Sequence, residues 1–236
     1  TIKDEEIIPH HLYGHKAPNE EYSVGHWLRE LSNILSTNKK VIIVGGTGLY
    51  FSALTDGLAN IPKISDETKI IGKKRLLKYG VQDLLKDLDR ETIESIDINN
   101  QMRVIRAWEV FKETGKSLKK WQNKTGTPIL PLIKCQPLVI NPNKNDLDKK
   151  IRARFKEMIK MGALDEARKN LDMWNQGLIA SKAIGASELI SYLKNEITLE
   201  EAITTASIAT RQYAKRQRTW IKARMKQWND VTELIN

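Results

Sequence analysis

Apolar and polar positions follow two different periods along this chain, and the switch between them divides it. From Ser23 the apolar residues Val24, Trp27, Leu28, Leu31, Ile34 and Leu35 recur at spacings of three and four. That spacing predicts an amphipathic helix with Ser23 as its N-cap. Val41-Ile42-Ile43-Val44 is instead a continuous β-branched run, the pattern of a strand buried on both faces of a parallel sheet. Gly45-Gly46-Thr47-Gly48 follows and allows a sharp turn, with Gly48-Leu49-Tyr50 opening a further helix. Helix, strand, glycine loop and helix form α/β syntax.

The syntax changes after Pro62. From Asp66 to about Thr114 the periodicity is helical throughout, broken at Gly80 and at Asn99-Asn100, and Gly115 is placed to cap the last of these helices. Residues 115–130 read as a polar loop. Leu132-Ile133 and Leu138-Val139-Ile140 read as a return to the sheet. The predicted organisation is therefore an α/β core over 1–62 and 132–236, interrupted by an all-helical insertion over 63–131. From Asp146 onward every pattern is helical. Ile151, Phe155 and Ile159 mark one helix ended by Gly162, and Leu164, Ala167, Leu171 and Trp174 mark another. Two more follow a loop around Lys182-Ala183-Ile184-Gly185, the last running from Leu199 to about Trp228.

Composition narrows the function. The 236 residues include 39 Lys and Arg against 29 Asp and Glu, a net charge of +10, which favours a polyanionic partner, nucleic acid before a membrane surface. A single cysteine, Cys135, excludes an internal disulfide and a cysteine-based metal site. No apolar run approaches the ~18 residues of a membrane span and no signal peptide opens the chain, so a cytoplasmic protein with no membrane partner is expected. The first residue is Thr1 rather than Met, which suggests a fragment.

Two stretches carry candidate chemistry. A loop leaving the end of a parallel strand into a helix N-terminus is where open α/β sheets bind anions and nucleotides, and Thr47 at its tip has a hydroxyl free to donate and accept. Residues 211–226 hold Arg211, Lys215, Arg216, Arg218, Lys222, Arg224 and Lys226 without one acid. Arg211, Lys215, Arg218 and Lys222 share a helical face, with Ala209, Tyr213 and Trp220 on another as anchors. Like charges at i, i+4 repel, a cost easier to understand if phosphates lie opposite. Gly115-Lys116-Ser117 only imitates a phosphate-binding loop, because Val110 stands where the motif needs glycine and the preceding pattern is helical. His10 and His11 lack a convincing ligand set and read as structural.

Taken together, the motifs resemble a known family. Pro9-His10-His11-Leu12, Tyr22-Ser23, Val44-Gly45-Gly46-Thr47-Gly48-Leu49-Tyr50 and Arg103-Val104-Ile105-Arg106-Ala107-Trp108-Glu109-Val110 occur in order. Ala183-Ile184-Gly185, Glu188-Leu189-Ile190 and Thr210-Arg211-Gln212-Tyr213-Ala214-Lys215-Arg216-Gln217-Arg218-Thr219-Trp220 follow. This series is similar to the bacterial tRNA dimethylallyltransferases, the tRNA isopentenyltransferase family, over essentially the whole chain.

The resemblance implies a P-loop-kinase-like core with a parallel sheet, incomplete at the N-terminus, and a helical insertion that grips the anticodon stem. It implies transfer of dimethylallyl from dimethylallyl diphosphate to N6 of the adenosine at position 37 in tRNA with A36-A37, by a monomer. Mg²⁺ would stand beside the diphosphate, its principal ligands upstream of Thr1. It further implies catalytic roles for Thr47 and Arg211, with Gly45, Gly46, Thr47 and Arg211 binding substrate. Lys69, Met102, Arg103 and Arg106 would touch tRNA, as would Lys182, Gly185, Lys215, Arg216, Gln217, Arg218, Thr219, Trp220 and Lys222. The target adenine would be flipped into a channel.

Two departures qualify the likeness. The P-loop and the aspartate that acts as general base lie upstream of Thr1 in the family pattern, so this chain alone is expected to be a poor catalyst. Gly185-Ala186-Ser187 stands where relatives carry Tyr and then a basic residue after the glycine, removing a stacking or phosphate contact. Rival readings are a non-catalytic RNA-binding remnant and an isopentenyltransferase acting on free adenine nucleotides. A nucleotide kinase is disfavoured, because no phosphate-binding Lys motif is present.

Overall fold

Local signals set most helix ends in the computed structural model, which describes residues 8–234 apart from 18, 39, 176, 178 and 179. Residues 1–7 and 235–236, the outer ends of the predicted core segments 1–62 and 132–236, lie outside the described residues. Two compact units emerge, one from Thr1–Gly48 with Gln136–Asn236 and the other from Leu49–Cys135. The second is broader at both ends than the helical segment 63–131.

In the first unit α1 (Val24–Thr37) starts as predicted at Ser23, whose Oγ accepts from the His26 amide. Leu28 and Leu31 of its apolar stripe are buried. The chain then enters α2 (Gly48–Thr55) through the glycine loop. The Val41–Val44 run is not a strand, which corrects the sequence reading. Ile42 is 92% and Val44 78% exposed, and no strand pairs with the run among the described residues. Continuous β-branched sequence makes a strand only where a sheet exists to bury it. The sheet described is small: β1 (Leu138–Val139) runs parallel to β2 (Asn229–Asp230), Leu138 opposite Asn229 and Val139 opposite Asp230.

Helices complete this unit. α8 (Lys144–Met158) continues into a π-turn (Ile159–Ala163) that opens at Gly162, φ 108°, before α9 (Leu164–Lys169). α10 (Ala186–Leu193) and the long α11 (Leu199–Arg224) follow. Thr198 caps α11 with Glu201 bonding back, Thr198 N–H to Glu201 Oε2 at 2.7 Å. Phe155, Leu189, Ile203 and Ala206 form the core between α8, α10 and α11. Three further expectations need correction. Leu132–Lys134 is a 3₁₀ turn with Ile133 94% exposed, α9 stops at Lys169 rather than near Trp174, and α11 stops at Arg224 before β2.

The second unit is helical, as its sequence predicts. α3 (Asp66–Tyr79) is capped by Ser65, α4 (Val81–Leu85) follows Gly80, and α5 (Arg90–Ser95) is capped by Asp89. α6 (Gln101–Thr114) runs from Asn100 to Gly115, a left-handed C-cap at φ 65°. The supposed loop beyond contains a short α7 (Leu118–Gln122). Leu84, Leu85, Leu88, Val104, Ile105 and Ala107 surround Trp108, which is 1% exposed. Its indole N–H still finds a partner, Asp87 Oδ2 at 2.7 Å, and that carboxylate also accepts from Arg75 Nη1 at 2.5 Å. Gly72 lets α3 lie against the Trp108 ring, which a Cβ would crowd.

The bond from Trp108, then that from Arg75, holds the Asp87 carboxyl below the usual aspartate range. A carboxylate with a lower pKa folded than unfolded stabilises above its unfolded pKa, and that contribution is lost as pH falls through the folded value. Asp87→Asn is therefore expected to flatten the loss of stability from about pH 5 down to about pH 2. Urea midpoints of the two proteins across that range check it, and parallel curves would exclude the role.

Candidate functional site

The glycine loop and the basic helix, more than a hundred residues apart in sequence, are clasped together within the first unit. Thr47 Oγ1 and the Tyr213 hydroxyl share a 3.0 Å hydrogen bond. Gln217 Nε2 donates to the Gly46 carbonyl at 3.0 Å. Gly48 lies against the indole of Trp220, where a Cβ would overlap the ring, and a Cβ on Gly46 would overlap the Gln217 amide. Tyr213, Gln217 and Trp220 stand at i, i+4 and i+7, one face of α11. The Thr47 hydroxyl is thus not free, a correction to the sequence reading. It keeps capacity for one more partner, because a hydroxyl has one donor and two acceptor sites, and Thr47 is exposed.

The clasp reassigns residues expected on RNA. Gln217 and Trp220 hold the loop, and half-buried Trp220 leaves its indole N–H shut from solvent without a hydrogen-bond partner among the described residues. Arg216 stacks over Tyr213, its Cζ 5.6 Å from the ring centre. Thr219 is exposed, its hydroxyl donating to the Lys215 carbonyl at 3.0 Å. Lys215 and Lys222 are exposed along the helix. Arg211 is exposed too, and two residues turn an α-helix by about 200°, so it stands roughly opposite Tyr213 and the loop. The structure therefore brings Gly45, Gly46 and Thr47 to α11, while Arg211 points from another side of that helix.

Gly185 is corrected outright as an RNA contact. It is buried at φ 95°, a conformation that favours glycine, and a Cβ there would press into the Phe155 ring. Lys182 just before it is exposed in a 3₁₀ turn. In the second unit α6 turns Val104, Ile105, Ala107 and Trp108 inward and leaves Met102, Arg103 and Arg106 outside. Arg106 lies 3.7 Å from Glu109, and Lys69 lies 3.3 Å from Asp66. Burial pushes the Glu109 carboxyl above its ordinary range, opposed by Arg106, Lys69 and Lys73. That one largely buried acid orders cations around it without cancelling them.

Among the described residues no three His, Cys, Asp or Glu side chains converge as a metal-ligand set. Among the same residues no helix is long and apolar enough to cross a membrane. Chemically, the clasp offers a fixed hydroxyl on a close-packed backbone loop, with a row of cations along the helix that holds it.

Comparison with known proteins places the chain among its relatives. The family model described as IPP transferase matches residues 1–224. A tRNA dimethylallyltransferase of Cereibacter sphaeroides is 47% identical over 231 residues, 98% of this chain and 74% of the relative. That of a Ruegeria species is 47% identical over 232 residues, 98% of this chain and 79% of the relative. The crystal structure of tRNA isopentenylpyrophosphate transferase from Bacillus halodurans is similar at TM-score 0.62 and 30% identity, covering 98% of this chain and 73% of that one. A eukaryotic dimethylallyltransferase, solved in crystallographic snapshots of its action on tRNA, gives TM-score 0.77 at 25% identity over 94% of this chain and 58% of its own.

The clasp can be measured directly. Gly48→Ala drives a methyl into the Trp220 ring and is expected to destabilise the first unit by about 1–3 kcal/mol. In a Trp220→Ala background the same change should cost much less, a coupling read by a double-mutant cycle in urea. Additive costs would mean that the two residues do not touch in solution.

Proposed function

Because the chain belongs to the IPP transferase family, we propose that it transfers a dimethylallyl group from dimethylallyl diphosphate to N6 of the adenosine at position 37 in tRNA. The observation that carries the reading is the clasp, which fixes the Thr47 hydroxyl against Tyr213 on a helix studded with cations. Its residues supply orientation and charge. Thr47, anchored on one side by Tyr213, can accept a hydrogen bond from the adenine amine and aim its nitrogen lone pair at the allylic carbon. The C1–O bond of the diphosphate ester breaks as the C1–N6 bond forms, and the bonding electrons leave with diphosphate. The family resemblance assigns Arg211 to that leaving group, where a guanidinium can neutralise two phosphate oxygens at once; because its side chain leaves α11 on another side from Tyr213, the diphosphate has to extend from the clasp around the helix to meet it. The amine proton goes to the departing diphosphate, whose oxygens are stronger bases than the Thr47 hydroxyl, since an alkyl hydroxyl is a poor acceptor of a full proton. Mg²⁺ enters the proposal only as a counter-ion travelling with the diphosphate.

RNA would be held by cations, half-buried Lys69 with exposed Arg103 and Arg106 on the helical unit and exposed Lys182, Lys215, Arg216 and Lys222 on the first. These side chains are exposed or ringed by few acids, as backbone-phosphate contacts require. Bases could reach exposed Met102 and Thr219. A free nucleotide would need none of this surface, which is why tRNA is favoured over a small acceptor.

The test is transfer of labelled dimethylallyl to unmodified tRNA carrying A36-A37. Arg211→Gln is expected to lower the transfer rate by about 10²–10³ and Thr47→Val by about tenfold or more, with tRNA affinity little changed. The pair Arg103→Gln and Arg106→Gln should instead weaken tRNA binding and reduce its salt slope by roughly two, about one per lost phosphate contact. Because this chain alone is expected to be a poor catalyst, the rates are measured on an N-terminally completed version as well, and native rates in both loop and helix variants of that version, or its binding of tRNA without any transfer, would overturn the reading.

A further inference from the structure

In the helical unit one acid is set among three cations. Gly72 brings α3 against α6, where a Cβ at that position would stand 3.1 Å from the Trp108 ring. Nearer the start of α3, Ser65 and Thr68 donate to Glu113 at 2.8 and 2.6 Å. These two contacts run the helices antiparallel and leave Glu109, between Trp108 and Glu113, level with Lys69 and Lys73. Glu109 is only 9% exposed. Arg106 Nη1 lies 3.7 Å from its carboxylate, one turn back on α6, and the charges of Lys69 and Lys73 reach it from α3.

Stability alone does not account for a carboxylate in this place. Burial pushes it above the ordinary range although the three cations pull it down, so desolvation outweighs their attraction. An apolar residue of similar volume often makes such a position more stable. The acid has to act on something else, and the cations are what it touches. Lys69 and Arg106 keep 29% and 46% of their side chains in contact with solvent, and Lys73 is exposed. Long cationic side chains lose rotamer freedom when they grip a phosphate. A carboxylate fixed between the helices takes up part of that loss before any phosphate arrives.

We infer that Glu109 is a positioning residue for RNA binding: largely buried between α3 and α6, it gathers Lys69, Lys73 and Arg106 into one preformed phosphate-binding cluster. This rests on the tRNA reading proposed above and adds to it an acid that charge alone would count against binding. The two views differ in sign. An acid that merely adds negative charge repels RNA, so removing it tightens binding. An acid that orders three cations helps RNA, so removing it weakens binding even though the protein becomes more positive.

The experiment is binding of labelled, unmodified tRNA carrying A36-A37 to the full chain, followed by anisotropy between about 50 and about 200 mM salt. Glu109→Gln keeps the shape and removes the charge. It should weaken binding about fivefold to tenfold at each salt concentration. The slope of log affinity against log salt should change by less than about half a unit, because all three cations remain to displace counterions. Glu109→Asp, which keeps the charge on a shorter arm, should fall between the two. Glu67→Gln removes an exposed acid from the same α3 and should leave binding unchanged or tighter. In an Arg106→Gln background, Glu109→Gln should cost less than it does alone. Urea midpoints no lower than that of the unaltered protein show that the loss is not unfolding, and should Glu109→Gln fold poorly, Glu109→Asp carries the test. Unchanged or tighter binding by Glu109→Gln, with the unaltered protein binding tRNA, would overturn this inference alone. Absence of tRNA binding by the unaltered protein would instead overturn the tRNA reading, and this inference with it.

Discussion

The site depends on how closely a bare backbone can approach α11. Side chains at positions 46 and 48 would collide with Gln217 and Trp220, so only glycine lets the loop lie on the helix. Glycine gives up more chain entropy on folding than any other residue, roughly 0.5–1 kcal/mol relative to alanine. The Gln217 bond to the Gly46 carbonyl and the stacking of Trp220 on Gly48 offset that loss. The helix is built to take the load. Thr198 and Glu201 close its first turn, Glu200 and Glu201 meet the positive end of its dipole, and Lys222 and Arg224 meet the negative end. An aromatic and amide face anchors it, so repulsion along the cationic face does not unwind it.

What could be read from the sequence follows from how local each cause is. Ser23 as a cap, Gly115 as a left-handed stop and the helical run from Asp66 to Thr114 are decided within a few residues, and the structure keeps all three. The strand at Val41–Val44 is decided by distant partners, and with none paired to it among the described residues the β-branched run forms no strand and Ile42 and Val44 stay exposed. β2 carried no signal at all. Asn229 and Asp230 are polar and exposed, and they pair through backbone bonds, Asn229 N–H to the Pro137 carbonyl at 3.0 Å and Val231 N–H to the Val139 carbonyl at 2.9 Å. Met225, only 7% exposed, leaves the helix to pack inward, so α11 ended earlier than a count of helical residues suggested.

The candidate site was legible as a set of positions but not as a set of tasks. Tyr213 and Trp220 were recognisable as anchors from their spacing, and Gln217 shares that face, yet nothing in one sequence names the loop they hold. Gly185 belongs to a motif that resemblance assigns to RNA, whereas its burial under Phe155 explains the glycine by packing.

Two populations of cations follow, and they differ in physics. Lys215, Lys222, Arg103 and Arg106 stand in solvent, where salt screens them within about 8–10 Å, so they can steer and hold a polyanion but discriminate little by shape. Arg218 turns partly out of water, where its charge is less screened and its fork of donors must be matched in geometry. The net charge of +10 is therefore not one uniform field. On α11 a single helix presents solvent cations on one side, a half-buried guanidinium at the edge and a loop clasp on another. Since Tyr213 and Gln217 hold the loop while their neighbours face solvent, the density of polar motif between Thr210 and Trp220 reflects three constraints on one helix rather than one.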